Sequence, residues 1–440
     1  MSRSKKSGPV SAVFVNLVLL AAASGILPSV LPSVLKAQAA ASARARSLPI
    51  PVVVIRNVSL IDGVRGAFAN GATLVLRDGL IANVLTGNEA RSYSPPADAT
   101  VIDGRGRYVL PGLIDAHTHL ASTANARRAL ESGVTTVRSA SVSAFQDVAL
   151  REAVREGVLA GPDVLAAGMF ITPQMGDAML GDPRLPALKG RMETEAGLRE
   201  AVRINVDRGA NVIKTRGTER AGLPETDPRK QAYTEQQLGW IVDEATKHNV
   251  PVLAHAHGDE GALAAVRAGV RSIEHGTFMS DSTLGLMKEM GTFFVPTYIT
   301  VYDLTQPGGD YDDPVLTNRG NFMLPVLGET IKRAHAMGIP IATGCDTEYG
   351  PPSLSRVSGE VAFFIELGFT PIEAIRSATT VGAALLGIDG RVGQIREGYE
   401  ADLILVESDP LKDIRSLADV LVVVSNGRVA LNRTPFAKTN

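Results

Sequence analysis

The chain has 440 residues, 45% of them hydrophobic and 20% charged, enough to bury a large core in one big domain or two. Lys and Arg number 44 against 46 Asp and Glu, a formal net charge of -2, which excludes the electrostatic footprint of a nucleic-acid binder or of a protein held on an acidic membrane surface. Small neutral or zwitterionic partners fit better.

In chain order, the first feature is a targeting segment. Arg3, Lys5 and Lys6 precede an apolar stretch, and Ala37-Gln38-Ala39 supplies a small-x-small cleavage site. Pro28 and Pro32 interrupt the stretch, so residues 1–39 read as a signal peptide rather than a retained anchor. The expected location is therefore outside the cytoplasm, periplasmic or secreted, with no membrane attachment after processing. The single cysteine, Cys345, rules out an intramolecular disulfide, so the fold must hold by packing. On an apolar run beside Asp346, its thiol reads as buried and inert.

Residues 50–110 carry valine-rich runs separated by Asp62-Gly63, Asn70-Gly71 and Asp78-Gly79, and residues 388–432 resume that style with Glu397-Gly398 and Asn426-Gly427. These read as hairpins. Each block is too small to bury a core alone, so the two flanks are expected to pair as one composite β-sandwich.

Between them, residues 111–387 alternate short apolar runs with amphipathic stretches. Strands are predicted at 113–119, 134–140, 164–172, 212–215, 252–257, 272–276, 293–298 and 339–346, with helices at 145–159, 193–208, 234–248, 260–268, 282–290 and 328–337. Gly133, Gly209, Gly269, Gly291 and Gly338 fall where helices should end in a left-handed cap. The expected class is α/β, a (β/α)₈ TIM barrel with active-site residues at the C-terminal strand ends.

Those ends carry the chemistry. His117 and His119 are two apart on a strand, so both imidazoles share a face and reach one point. Lys214, His255, His257, His275 and Asp346 close other strands, a donor set suited to metal ions. His248 and His335 sit at polar helix ends and are set aside. Asp115 lies deeper, where a supporting hydrogen bond is expected.

Nearly all of the chain beyond residue 39 resembles the metal-dependent hydrolases of the amidohydrolase superfamily, in its prolidase-like and imidazolonepropionase-like branch. The marks are PGLIDAHTHL at 111–120, GVTTVRSA at 133–140, GANVIKT at 209–215, LAHAHGDEGALAAVRAGVRSIEHGT at 253–277, GTFFVPT at 291–297, ATGCDT at 342–347 and the closing run at 395–407. The resemblance implies two divalent metal ions, zinc by default, with His117 and His119 on one, His255 and His275 on the other, a carboxylated Lys214 bridging, and Asp346 binding metal and shuttling protons. His257 would then meet the substrate.

A metal-bridging hydroxide would cleave a C–N amide bond, and the branch points to a dipeptide or an N-acyl amino acid. Arg216, Arg220, Tyr233, Tyr298 and Arg356 stand on segments after the strands and are candidates to hold a substrate carboxylate. The passage from His119 to Gly133 is short, which should leave the pocket open on that side. Two alternatives stay open: a mononuclear deaminase or cyclic amidohydrolase built on His257 and Glu260, and a non-catalytic scaffold. Oligomeric state, including a homo-oligomer, does not follow from the residues.

Overall fold

The computed structural model describes residues 50–351 and 353–436. The predicted signal peptide lies outside the described residues. The flanks form an all-β region: β1 (Val53–Asp62), β2 (Gly66–Arg77), β3 (Leu80–Leu85), β4 (Thr100–Asp103) and β5 (Tyr108–Pro111) come from one side of the sequence. The central segment supplies β6 (Leu113–Thr118), β7 (Val134–Ser139), β8 (Asp163–Leu165), β9 (Ile213–Arg216), β10 (Val252–Ala256), β11 (Ser272–His275) and β12 (Phe293–Val295). The chain returns to the flank with β13 (Leu403–Val406), β14 (Val420–Ser425) and β15 (Arg428–Asn432).

The two flanks do join. β5 pairs antiparallel with β13, Pro111 opposite Leu403, and so links both into one eight-stranded sheet in the order β15-β14-β13-β5-β1-β2-β3, with β4 also on β1. The hydrogen bonding defines one shared sheet, where two facing sheets of a sandwich were expected. Its core is apolar, with Val53, Ile55, Leu74, Leu403 and Val422 all buried. Two expected turns appear as left-handed pairs, Asp78-Gly79 with φ of 52° and 83° and Asn426-Gly427 with φ of 51° and 74°, the geometry that right-twisted hairpins require. Asn70-Gly71 is a correction: it lies inside β2, where the register against β1 shifts as in a bulge.

The central strands are parallel and fall into two sheets, β6-β7-β8 and β9-β10-β11-β12. The eighth predicted strand, 339–346, is not a regular strand. Its segment makes isolated parallel bridges, Ile341 to Phe294 on one side and Thr347 to Thr118 on the other. Between β8 and β9 the crossing is by loop hydrogen bonds, such as Asn211 N to the Ala166 carbonyl at 2.7 Å. The described residues are thus α/β with parallel strands, and they show no continuous closed eight-stranded barrel.

Helices connect these strands as expected, Glu195–Asp207, Glu235–Lys247, Asp259–Arg267 and Asp281–Met290 among them. Thr194, Thr234 and Ser280 cap three of them through their hydroxyls. All five anticipated glycines have positive φ. The helix expected at 328–337 instead runs Pro314–Met337, starting from Asp313, whose carboxylate accepts from Val315 N and Leu316 N. It carries Pro325 inside, a residue that usually stops or kinks a helix and here does not end it. A further short helix, Tyr298–Asp303, follows β12, and Tyr298, expected to end the seventh strand, opens it.

Candidate metal centre

Each functional side chain stands where a parallel strand ends or just beyond. His117 is the penultimate residue of β6, His119 comes just after that strand, Lys214 lies within β9, His255 within β10, and His275 ends β11. Together with His257 and Asp346 they line one cavity of about 1410 Å³. The ligand atoms of His255, His257 and His275 lie within 4.8 Å of one another, as do those of His117, His275 and Asp346. His275 belongs to both groups and so joins them.

Burial makes this arrangement costly unless every polar atom has a partner. His117 Nδ1 donates to Glu274 Oε2 at 2.6 Å, and Arg138 Nη2 donates to both oxygens of that carboxylate, at 2.8 and 2.9 Å. Arg138 Nη1 in turn donates to Ser272 Oγ, so a wholly buried Arg–Glu–His relay stands behind the cavity. His119 Nδ1 donates to the Ser141 carbonyl at 2.6 Å. His257 Nδ1 meets Thr277 Oγ1 at 2.8 Å and His275 Nδ1 meets Thr297 Oγ1 at 2.7 Å. Such outer partners fix ring orientation and raise the basicity of the nitrogen facing inward. His255 differs: its Nε2 donates to the Glu219 carbonyl at 3.0 Å, which leaves Nδ1 for the cavity.

The inward nitrogens converge on a carboxylate. His117 Nε2 and His119 Nε2 approach Asp346 Oδ1 at 3.4 and 2.9 Å while their Nδ1 atoms already donate elsewhere. Two imidazole nitrogens converging on one carboxylate oxygen need positive charge there, whether a proton or a cation. A bound divalent cation fits that need and the donor chemistry.

The electrostatics agree. Burial pushes the imidazoles of His255 and His275 well below their ordinary range and that of His257 down to about 3, so these rings stay neutral, as ligands must. Burial also pushes the Lys214 ammonium down to about 8. Its Nζ donates to His117 Nε2 at 3.4 Å. Burial alone would raise the Asp346 carboxyl, but the imidazoles of His117 and His119 override it and hold it well below the carboxylate range.

Local backbone strain marks the same place. His275, Thr297 and Asp346 are non-glycine residues with φ of 74°, 48° and 44°. Left-handed residues of this kind persist where surrounding structure over-determines them, commonly at functional sites.

Not every expected residue reaches the cavity. Arg216 and Arg220 line it. Arg216 is already engaged, with Glu219 Oε2 at 3.1 Å and Gln174 Oε1 at 3.3 Å. Tyr233 is a correction: its ring is fully buried and its hydroxyl donates to the Met192 carbonyl at 2.8 Å, so it is core and not a substrate contact. Tyr298 is another, packed edge-on against Phe363 outside the lining, and Arg356 lies over the Tyr349 ring, also outside it. Glu260, needed by the mononuclear alternative, is exposed in the first turn of its helix and does not line the cavity.

Asp115 has the supporting role expected of it, accepting from His117 N and Cys345 N at 3.1 Å each and from the Tyr349 hydroxyl at 2.7 Å. Cys345 is buried and free, and burial pushes its thiol well up, as expected of an inert side chain. Sequence reasoning missed Glu274, Arg138, Thr297 and Tyr311, which lines the cavity. For Glu274 and Arg138 a signal was present: a charged residue on an otherwise apolar buried strand needs a partner.

Comparison with known proteins identifies a family. The model of the amidohydrolase family matches residues 108–430. The chain is 29% identical to ochratoxinase of Aspergillus niger over 410 residues, covering 83% of each chain. It is 26% identical to imidazolonepropionase of Symbiobacterium thermophilum over 417 residues, 82% of this chain and 90% of that one. Among solved structures it is similar to a Xaa-Pro dipeptidase with methionine bound in the active site, at a TM-score of 0.76 and 29% identity, covering 86% of this chain and 99% of the other.

Proposed function

The chain belongs to the amidohydrolase family, and on that premise we propose that it is a metal-dependent hydrolase that cleaves a C–N amide bond in a dipeptide or N-acyl amino acid. The observation that carries this reading is the convergence of His117, His119, Lys214, His255, His275 and Asp346 on one cavity. The names of the relatives support the substrate class, one being an ochratoxinase and another a Xaa-Pro dipeptidase.

The six residues would hold two divalent ions, zinc by donor type, with Lys214 as a carbamate formed from its amine and CO₂ with loss of one proton. When bound, such ions activate a water and polarise the carbonyl under attack. Asp346 takes the proton released by the attacking water and delivers it to the departing amide nitrogen. His257, held through Nδ1 by Thr277, offers its other nitrogen to the substrate. Arg216 and Arg220 hold a substrate carboxylate at the wider mouth. The full fold reading is a barrel carrying a composite β domain, and the protein acts after export.

The test is metal content per chain of the purified protein together with hydrolysis of a panel of dipeptides and N-acyl amino acids. Two metals per chain and amide cleavage are expected. One metal with Lys214→Ala fully active would overturn the bridged site, and absence of amide cleavage by the two-metal protein would overturn the substrate class.

A further inference from the structure

A second cluster of carboxylates lies outside the cavity. Asp163 opens β8, while Glu400 and Asp402 lie just before β13, and their ligand atoms all fall within 4.8 Å of one another. Arg391 pairs with Glu400, and Asn426 Nδ2 donates to Asp163 Oδ1 at 3.0 Å. Asp402 Oδ1 accepts from Asn426 N at 2.7 Å.

Two oxygens are left over. Asp402 Oδ2 and Glu400 Oε2 are buried without a hydrogen-bond partner, and Asp402 as a whole is only 4% exposed. A buried acid oxygen with no hydrogen-bond partner has lost its water without compensation, so the cluster is incomplete as it stands. Among the described residues, Arg391 is the cation that faces these three acid groups. Burial, and then the neighbouring Asp163, push the Asp402 carboxyl well above its ordinary range.

We propose that Asp163, Glu400 and Asp402 form a structural site for a hard divalent cation of the Ca²⁺ type. The donors are all carboxylate oxygens, the type that Ca²⁺ prefers over the nitrogen-rich set of the cavity. Two of the three side chains are part-exposed, so the cluster is open to solvent. The ion's work would be mechanical. Asp163 belongs to the parallel sheet of the cavity, Glu400 and Asp402 to the segment that leads into β13 of the flanking sheet, and Asn426 to the turn between β14 and β15. A cation there fastens three parts of the fold without touching the reaction.

The experiment is calorimetric titration of the metal-loaded protein with CaCl₂ at constant ionic strength, with the unfolding midpoint followed in parallel. Expected are one Ca²⁺ per chain with Kd on the order of 10⁻⁴ M and a midpoint that rises with Ca²⁺. Asp402→Asn keeps an oxygen for Asn426 N, and Asp163→Asn leaves that contact untouched. Both should lose the heat and the midpoint shift, while Asp346→Asn should keep them. No saturable binding in the parent protein, binding that survives in both carboxamide variants, or binding lost in Asp346→Asn would overturn the site.

Discussion

The flanking sheet and the cavity solve burial in opposite ways. In the sheet the interior is Val, Ile and Leu, and removal of apolar surface from water stabilises it with little demand on orientation. At the cavity the buried groups are imidazoles, carboxylates, a lysine and an arginine, each needing a named partner at a set distance. The first region should tolerate shape-preserving change and govern stability. The second should govern chemistry and contribute little to the stability of the whole.

The sharpest way to break that comparison is Asp346→Asn. Loss of a positioned proton carrier is expected to lower kcat/KM by about 10³-fold, with circular dichroism and the unfolding midpoint nearly unchanged. A collapse of the fold with activity per folded molecule intact would show that Asp346 is structural. The converse is Leu403→Ala, in a strand whose side chain is 1% exposed. It should cost about 2–5 kcal/mol in denaturant unfolding and leave kcat/KM of the folded fraction as it was. A proportionate loss of kcat/KM would mean that the two regions are coupled.

A smaller effect tests a buried acid between the two extremes. Glu360 accepts from Tyr298 N at 3.0 Å and Ile299 N at 2.7 Å, and burial pushes its carboxyl up to about 8. Because the folded state then binds its proton more tightly than the unfolded chain does, stability falls as pH rises from about 5 to 8. Glu360→Gln should flatten that part of the stability-against-pH curve. An unchanged slope would assign it to other groups.

Much of the cavity was legible because strand alternation is a strict rule. His117 and His119 share a face by spacing alone, and an apolar run ending in a histidine says where that side chain stands. What alternation cannot report is a backbone that leaves the strand. His275 and Asp346 reach the cavity through left-handed residues, and 339–346 never settles into a ladder. Tyr233 shows the complementary failure: a tyrosine among arginines in a loop looks like a substrate contact, yet its ring is core and its hydroxyl is satisfied by Met192.

The α/β alternation, the glycine-capped helix ends, the turn pairs Asp78-Gly79 and Asn426-Gly427, and the set of ligand-type residues at strand ends can all be read from short stretches of chain. These follow from local rules: periodicity, φ preference and donor chemistry. The assembled fold sets the partner of each buried charge, from Arg138 behind Glu274 to the Asp163, Glu400 and Asp402 cluster. It also decided which loop residues face the cavity, and that both flanks share one sheet through β5 and β13. The reason is physical. Such pairings join residues far apart in the chain, and a long-range partner is chosen by packing and desolvation of the whole fold, which no short window of residues contains.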